Sequence, residues 1–151
     1  DIHRLVEKKK LYLGGTRIPF HSGLKGHSDG DVILHAIIDA VLGAIRKKDI
    51  GSLFPDNKNK FKNIRSPNML KHVLEILDKG NFYINNLDIN LICEQPKVSK
   101  YRKKIISSLS NLLKLNKDLI NLKGKTVEKL GLIGKEKAIA CEVIISICKY
   151  D

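Results

Sequence analysis

His27-Ser28-Asp29-Gly30-Asp31-Val32-Ile33-Leu34-His35-Ala36-Ile37-Ile38-Asp39 is a polar loop that turns abruptly into an apolar run. The run continues to Ile45 with apolar side chains on nearly every side. It predicts a helix over Val32–Ile45 that is buried all round rather than along one stripe. Ser28 or Asp29 is the expected cap. Within that helix Asp31, His35 and Asp39 recur every four residues and so share one face. A polar stripe on a buried helix is unfavourable unless it is satisfied. Either the stripe is an edge turned to water, or His35 binds a metal while a carboxylate on the same face orients its ring.

Upstream, Asp1-Ile2-His3 puts a carboxylate and an imidazole on one side of an extended segment. One Asp and two His (Asp1, His3, His35) would give three protein ligands and leave a fourth position open, the count expected of catalytic zinc. Leu11 to Ile18 reads as a hairpin turning at Gly14-Gly15. The loop before the buried helix offers backbone N–H groups at a helix N-terminus, with His27 and the Ser28 hydroxyl as further donors, a setting that attracts phosphate or simply caps the helix.

Downstream, Asp49-Ile50-Gly51 and Leu53-Phe54-Pro55-Asp56 read as a second loop whose acids suit polyol hydroxyls or plain turns. Asn57 to Asn63 is rich in Lys and Asn and is expected to be mobile. A helix runs from Ser66, with Pro67 at its first position, to Gly80. Tyr83 to Cys93 alternates as a strand, Pro96 breaks it, and an amphipathic helix spans Lys100–Leu115. Leu119–Val127 and Ala138–Cys148 read as further strands. Glu142, inside the last, calls for a partner such as Lys135 or for an edge facing water. Glu128, on the charged turn after the Leu119 strand, suits magnesium or is a plain turn residue. This order of elements predicts an α+β fold, a mixed sheet with helices packed on one side.

The 151 residues suit a single domain over 1–151. A formal charge of +12 admits nucleic acid, an acidic membrane or a polyanionic small substrate. The few, scattered aromatics form no stacking array, so a nucleic-acid partner is not expected. No apolar run is long enough to span a membrane, and no membrane partner is expected. Cys93, Cys141 and Cys148 lack CxxC spacing and read as buried free thiols. A start at Asp1 without Met reads as a trimmed or processed piece.

Taken together, Asp1-Ile2-His3, Gly14-Gly15-x-Arg17-Ile18-Pro19, the His27–Ala36 block, Asp49-Ile50-Gly51-x-x-Phe54-Pro55-Asp56, Pro96-Lys97, Thr126-x-Glu128-Lys129-Leu130-Gly131 and Ala140-Cys141-Glu142 resemble one family along nearly the whole chain. It is that of the 2-C-methyl-D-erythritol 2,4-cyclodiphosphate synthases of non-mevalonate isoprenoid biosynthesis. The resemblance implies zinc on Asp1, His3 and His35, and magnesium or manganese on Glu128. It implies that His27 and Thr126 stabilise the transition state. Asp49, Ile50, Gly51 and the loop Phe54, Pro55, Asp56, Asn57, Lys58 then face the erythritol portion of the substrate, and Ile2 and Ser28 are further implied substrate contacts. Cys93, Glu94, Gln95, Pro96, Lys97, Val98 and Ser99 match the cytosine pocket, with Lys97 near the diphosphate. Lys125, Val127, Leu132 and Lys135 complete the implied contacts, Lys135 standing where the family often has Arg. The implied substrate is a small cytidine-diphosphate compound, and the implied assembly is a homotrimer with active sites between subunits. The Lys/Asn/Ile bias together with the pathway suggests a parasite plastid (apicoplast), with a bacterial cytoplasm as the alternative. A nucleic-acid-binding module and a zinc hydrolase are the competing readings of the residues themselves.

Overall fold

A computed structural model describes residues 1–151 apart from His27, Asp56 and Lys62, and apart from the side chain of Asn59. Seven strands form: β1 (Ile2–Glu7), β2 (Leu11–Leu13), β3 (Thr16–Ile18), β4 (Ser22–Leu24), β5 (Phe82–Ile92), β6 (Ile120–Lys125) and β7 (Ala138–Lys149). The helices are α1 (Val32–Ala44), α2 (Ile50–Leu53), α3 (Ser66–Lys79), α4 (Val98–Leu113) and α5 (Gly131–Gly134).

Five strands make one sheet in the order β4-β1-β7-β5-β6. The β5–β6 pair is parallel and the other pairs are antiparallel, so the sheet is mixed as expected. A parallel pair needs a crossover, and α4 provides it. On one face Leu87, Ile89 and Leu91 of β5, Leu122 of β6, and Ile139 and Cys141 of β7 are buried. They join α1, α3 and α4 in one hydrophobic cluster. The alternate residues Asp88, Asn90 and Ile144 point to the other face, which carries no helix among the described residues, and Ile144 is 77% exposed. Glu142 lies on that face too, exposed and with no ion pair to Lys135 among the described residues; it faces water, but from the central strand of the sheet and not from an edge as expected.

The α1 helix is as apolar as its sequence requires: Val32, Ile33, Leu34, Ile37, Ile38 and Val41 are fully buried. Each such side chain contributes roughly 1.5–3 kcal/mol on leaving water. Its cap is Asp31, not Ser28 or Asp29: Asp31 accepts from Leu34 N–H at 3.1 Å. Asp31 also receives Gly14 N–H at 2.9 Å and Gly15 N–H at 2.7 Å, which docks the β2–β3 hairpin on the helix start. Gly14 and Gly15 have φ of +61° and +79°, the left-handed pair a two-residue hairpin loop calls for. A Cβ at Gly15 would sit 2.6 Å from Leu112 Cδ1 of α4, a flexible side-chain end that can move aside, so the positive φ is what calls for glycine there.

Boundaries shift modestly from the sequence reading. The α4 helix starts at Val98 rather than Lys100, directly after the Cys93–Lys97 turn, whose Gln95–Pro96 bond is cis. Ser66 is the first residue of α3 and Pro67 the second. The expected second loop contains the one-turn α2, capped by Asp49 through Ser52 N–H at 2.8 Å. The Asn57–Asn63 stretch, expected to be mobile, contains a 3-10 turn at Asn59–Phe61 that sets Phe61 edge-on to Phe54 with centroids 5.4 Å apart. Among the described residues no helix is long and apolar enough to cross a membrane.

All three cysteines are free thiols. Burial pushes the Cys93 thiol up to about 11 and the Cys141 thiol up to about 12. Thiolate is the reactive form. Alkylation of the native protein near pH 8 is therefore expected to modify half-buried Cys148 first, with Cys93 and Cys141 reacting only in denaturant. Peptide mass mapping after a timed iodoacetamide pulse reads this directly, and early labelling of Cys141 would contradict it.

Candidate metal centre

Asp1 precedes β1, and its main chain pairs with β7: Asp1 N donates to Cys141 O at 2.9 Å and Cys141 N–H donates to Asp1 O at 2.8 Å. His3 is in register with Ile139. The alternation of β1 then aims Asp1 and His3 the same way, toward His35 on α1. His3 Nε2 lies 2.8 Å from Asp1 Oδ2 and 3.0 Å from His35 Nδ1, and His35 Nδ1 lies 3.4 Å from Asp1 Oδ2. Three donor atoms about 2.0–2.1 Å from one tetrahedral ion would be spaced about 3.3 Å apart. The observed triangle fits one face of that tetrahedron, and among the described residues no fourth His, Cys, Asp or Glu joins it.

The outer nitrogens fix the tautomers. His3 Nδ1 donates to Lys25 O at 2.8 Å, since a carbonyl can only accept. Its Nε2 therefore carries a lone pair into the triangle. Burial is the chief reason both imidazoles sit below the ordinary histidine value; for His35 the neighbouring His3 adds to it. Neutral rings with inward lone pairs are the metal-binding form.

Asp31 and Asp39 do not orient His35, although they share its helical face. Asp31 is fully buried against the hairpin turn, and burial pushes its carboxyl up against the pull of three backbone N–H donors. Asp39 accepts from Ile50 N–H at 2.7 Å and so fixes the start of α2. The partner of His35 Nε2 is the Ser66 hydroxyl at 2.8 Å, itself bonded to Asp29. Neither residue stands out in the sequence: Ser66 reads as a helix start and Asp29 as a cap.

Beside the triangle, His3, His35, Ser28, Ile50, Gly51 and Phe54 contribute to a cavity of about 190 Å³. The Ser28 hydroxyl is shielded from water and has no hydrogen-bond partner among the described residues. Hydrogen bonding to Ser52 holds the Asp49 carboxyl below the usual range. Ile2 is 56% exposed; Pro55 is half-buried, and Asn57 and Lys58 are exposed beyond Phe54. The expected residues His27 and Asp56 lie outside the described residues.

The remaining expected residues gather elsewhere. Cys93, Glu94, Pro96, Lys97, Val98 and Ser99 meet Lys125 and Thr126 around a second cavity of about 230 Å³. Arg102 and Leu122, which sequence reasoning missed, line it as well; Arg102 Nε donates to Leu122 O at 2.9 Å. Gln95 is half-buried in the same turn. The Glu94 carboxylate accepts from Val127 N–H at 3.1 Å and Lys129 N–H at 3.0 Å, and so shapes the turn that presents Thr126 and Glu128. Glu128 is exposed and does not join the Asp1–His3–His35 group within one chain. Leu132, 68% exposed, and Lys135 flank that turn on the outside. The expected residues thus fall into two groups, each lining its own cavity.

The sequence profile of the YgbB family matches residues 1–148. The chain belongs to the YgbB family. Within that family it is 45% identical over 149 residues to the 2-C-methyl-D-erythritol 2,4-cyclodiphosphate synthase of Caldicellulosiruptor bescii, covering 99% of this chain and 95% of the relative. It is 54% identical over 151 residues to the bifunctional enzyme IspD/IspF of Pelagibacter ubique, covering all of this chain but only 41% of that protein's length. Among solved structures, a CDP complex of Plasmodium falciparum IspF superposes with a TM-score of 0.87 at 42% identity, covering 100% of this chain and 93% of that one. YgbB membership places the chain among the lyases of the non-mevalonate isoprenoid route. Both sequence relatives are bacterial, and the plastid expectation finds no support.

Proposed function

We propose that this chain, as a single domain over 1–151, converts 4-diphosphocytidyl-2-C-methyl-D-erythritol 2-phosphate into 2-C-methyl-D-erythritol 2,4-cyclodiphosphate and CMP. An oxygen of the 2-phosphate forms a bond to the β-phosphorus. The bond from that phosphorus to the bridging oxygen breaks, and CMP leaves with the electron pair. No water is consumed and no side-chain nucleophile is needed. Asp1, His3 and His35 are the residues that would hold zinc, and Glu128 magnesium or manganese. Bound there, these cations supply the positive charge that lets one phosphate approach another. The observation that carries this reading is the Asp1–His3–His35 triangle with its inward lone pairs.

The other residues bind and position. The unpartnered Ser28 hydroxyl is free to donate to a phosphate oxygen, and His27 and Thr126 stabilise the transition state. Ile50, Gly51 and Phe54 keep water from the erythritol portion, with Asp49 at the mouth. The Cys93–Ser99 turn takes the cytosine, Lys97 the diphosphate. The basic surface draws in the anion. Product analysis separates the alternatives: linear phosphates would mean a hydrolase, and the cyclic diphosphate with CMP a synthase.

The working assembly we propose is a homotrimer in which the metal half-site of one chain meets the nucleotide half-site of its neighbour. Two features support it: the separate cavities, and a sheet face that carries no helix among the described residues, where Ile2 and Ile144 are exposed and Asn90 Oδ1 is shielded with no partner among those residues. Mixing two inactive chains, His35→Ala and Glu128→Gln, after unfolding and refolding together should then restore activity at about a quarter of the sites. Each variant alone should stay inactive, and a mixture that also stays inactive would rule out shared sites. Following the bacterial relatives, we place the enzyme in a bacterial cytoplasm.

A further inference from the structure

The contacts behind His35 form a directional chain. Asp29, with its side chain 7% exposed, accepts from both the hydroxyl and the backbone N–H of Ser66, the latter at 3.2 Å. It also accepts from Asp31 N–H at 3.3 Å, and Arg65 Nε lies 3.8 Å away. An ionised carboxylate has only lone pairs to offer, so the single Ser66 proton points at Asp29. Ser66 Oγ can then only accept from the ring nitrogen 2.8 Å away. That fixes hydrogen on His35 Nε2 and leaves Nδ1 bare, facing Asp1 and His3. Ser66 is fully buried, so water does not replace either contact.

We propose that Ser66, backed by Asp29, is the positioning residue that holds His35 in its metal-binding tautomer and orientation. The inference rests on the metal reading above. Its geometry also ties that centre to α3, because Ser66 opens that helix and Arg65 before it stacks over the Tyr12 ring at 5.3 Å. A ligand histidine thus has its rotation fixed from one helix while its backbone belongs to another. Removing an outer partner of this kind typically weakens metal binding 10–100-fold.

The test uses the full chain, with zinc alone as the probe. Ser66→Ala should bind zinc about 10–100-fold more weakly in competition with a chromogenic chelator. Ser66→Thr, which keeps the oxygen, should recover most of the affinity. Val73→Ala, a buried position further along α3, should lose stability but keep its zinc affinity. Nitrogen-15 shifts of the His35 ring should show hydrogen on Nε2 in the metal-free parent chain and a tautomer mixture in Ser66→Ala. Unchanged affinity and an unchanged tautomer in Ser66→Ala would overturn the proposal. So would equal weakening in Val73→Ala, which would reduce Ser66 to a packing role. A parent chain that binds no zinc would sink the metal reading instead, and the ring shifts would still decide whether Ser66 sets the tautomer.

Discussion

His35→Ala should purify with no bound zinc where the parent chain carries about one ion, and its turnover should fall by about 10³-fold or more. Three protein donors leave little redundancy: without the imidazole, Asp1 and His3 alone cannot define a tetrahedral face. The loss should be chemical rather than structural. His35 is half-buried beside a cavity, not part of the apolar cluster, so the variant should keep the unfolding midpoint of the chelator-treated parent. Metal analysis by mass spectrometry, run beside a chelator-treated parent sample, gives the comparison. Chelator treatment should reproduce the defect and added zinc should repair it in the parent chain only. A variant that retains stoichiometric zinc would remove His35 from the ligand set.

Much of the architecture was readable because single-residue rules agreed with one another. The α1 run has too few polar positions to face water, and Gly14-Gly15 between two apolar triplets admits little but a hairpin turn. The β7 strand was harder. Its outer face carries Ala140 and Ile144 beside Glu142, so the period-two signal is blurred and the exposed face becomes visible only in the sheet. The triad was legible as a pattern of ligand types, yet its convergence depends on β1 lying against β7 next to α1, which spacing along the chain does not encode. Ser66 and Asp29 were invisible for the same reason. They lie 37 positions apart, and each belongs to a residue type common at helix starts. A shared helical face does not make a shared contact. Asp31 and Asp39 do share a helical face with His35, but a short carboxylate reaches the nearest unpaired backbone N–H first. Asp31 finds those of the hairpin and of its own helix; Asp39 finds that of α2.

Asp31→Ala should lower stability by about 3–5 kcal/mol, the largest effect expected from a residue outside the metal centre. Three backbone N–H groups lose their acceptor at once, those of Gly14 and Leu34 in buried contacts and that of Gly15 in a half-buried one, around a carboxylate that is itself fully buried. A buried donor left unpaired costs about 1–3 kcal/mol, and partial relaxation keeps the sum below three full penalties. The urea midpoint should drop with little change in slope, since the core surface exposed on unfolding is the same. Asp31→Asn separates this role from a catalytic one. The amide keeps one acceptor oxygen but sets its NH₂ against a hairpin N–H, so part of the loss should remain. Its folded fraction should bind zinc with parent-like affinity, because Asp31 touches the hairpin and not the His35 ring. Had the carboxylate acted through His35, the same change would weaken zinc by about 10–100-fold at unchanged stability. Opposite movements in two measurements on one variant therefore tell a structural carboxylate from one that serves the metal.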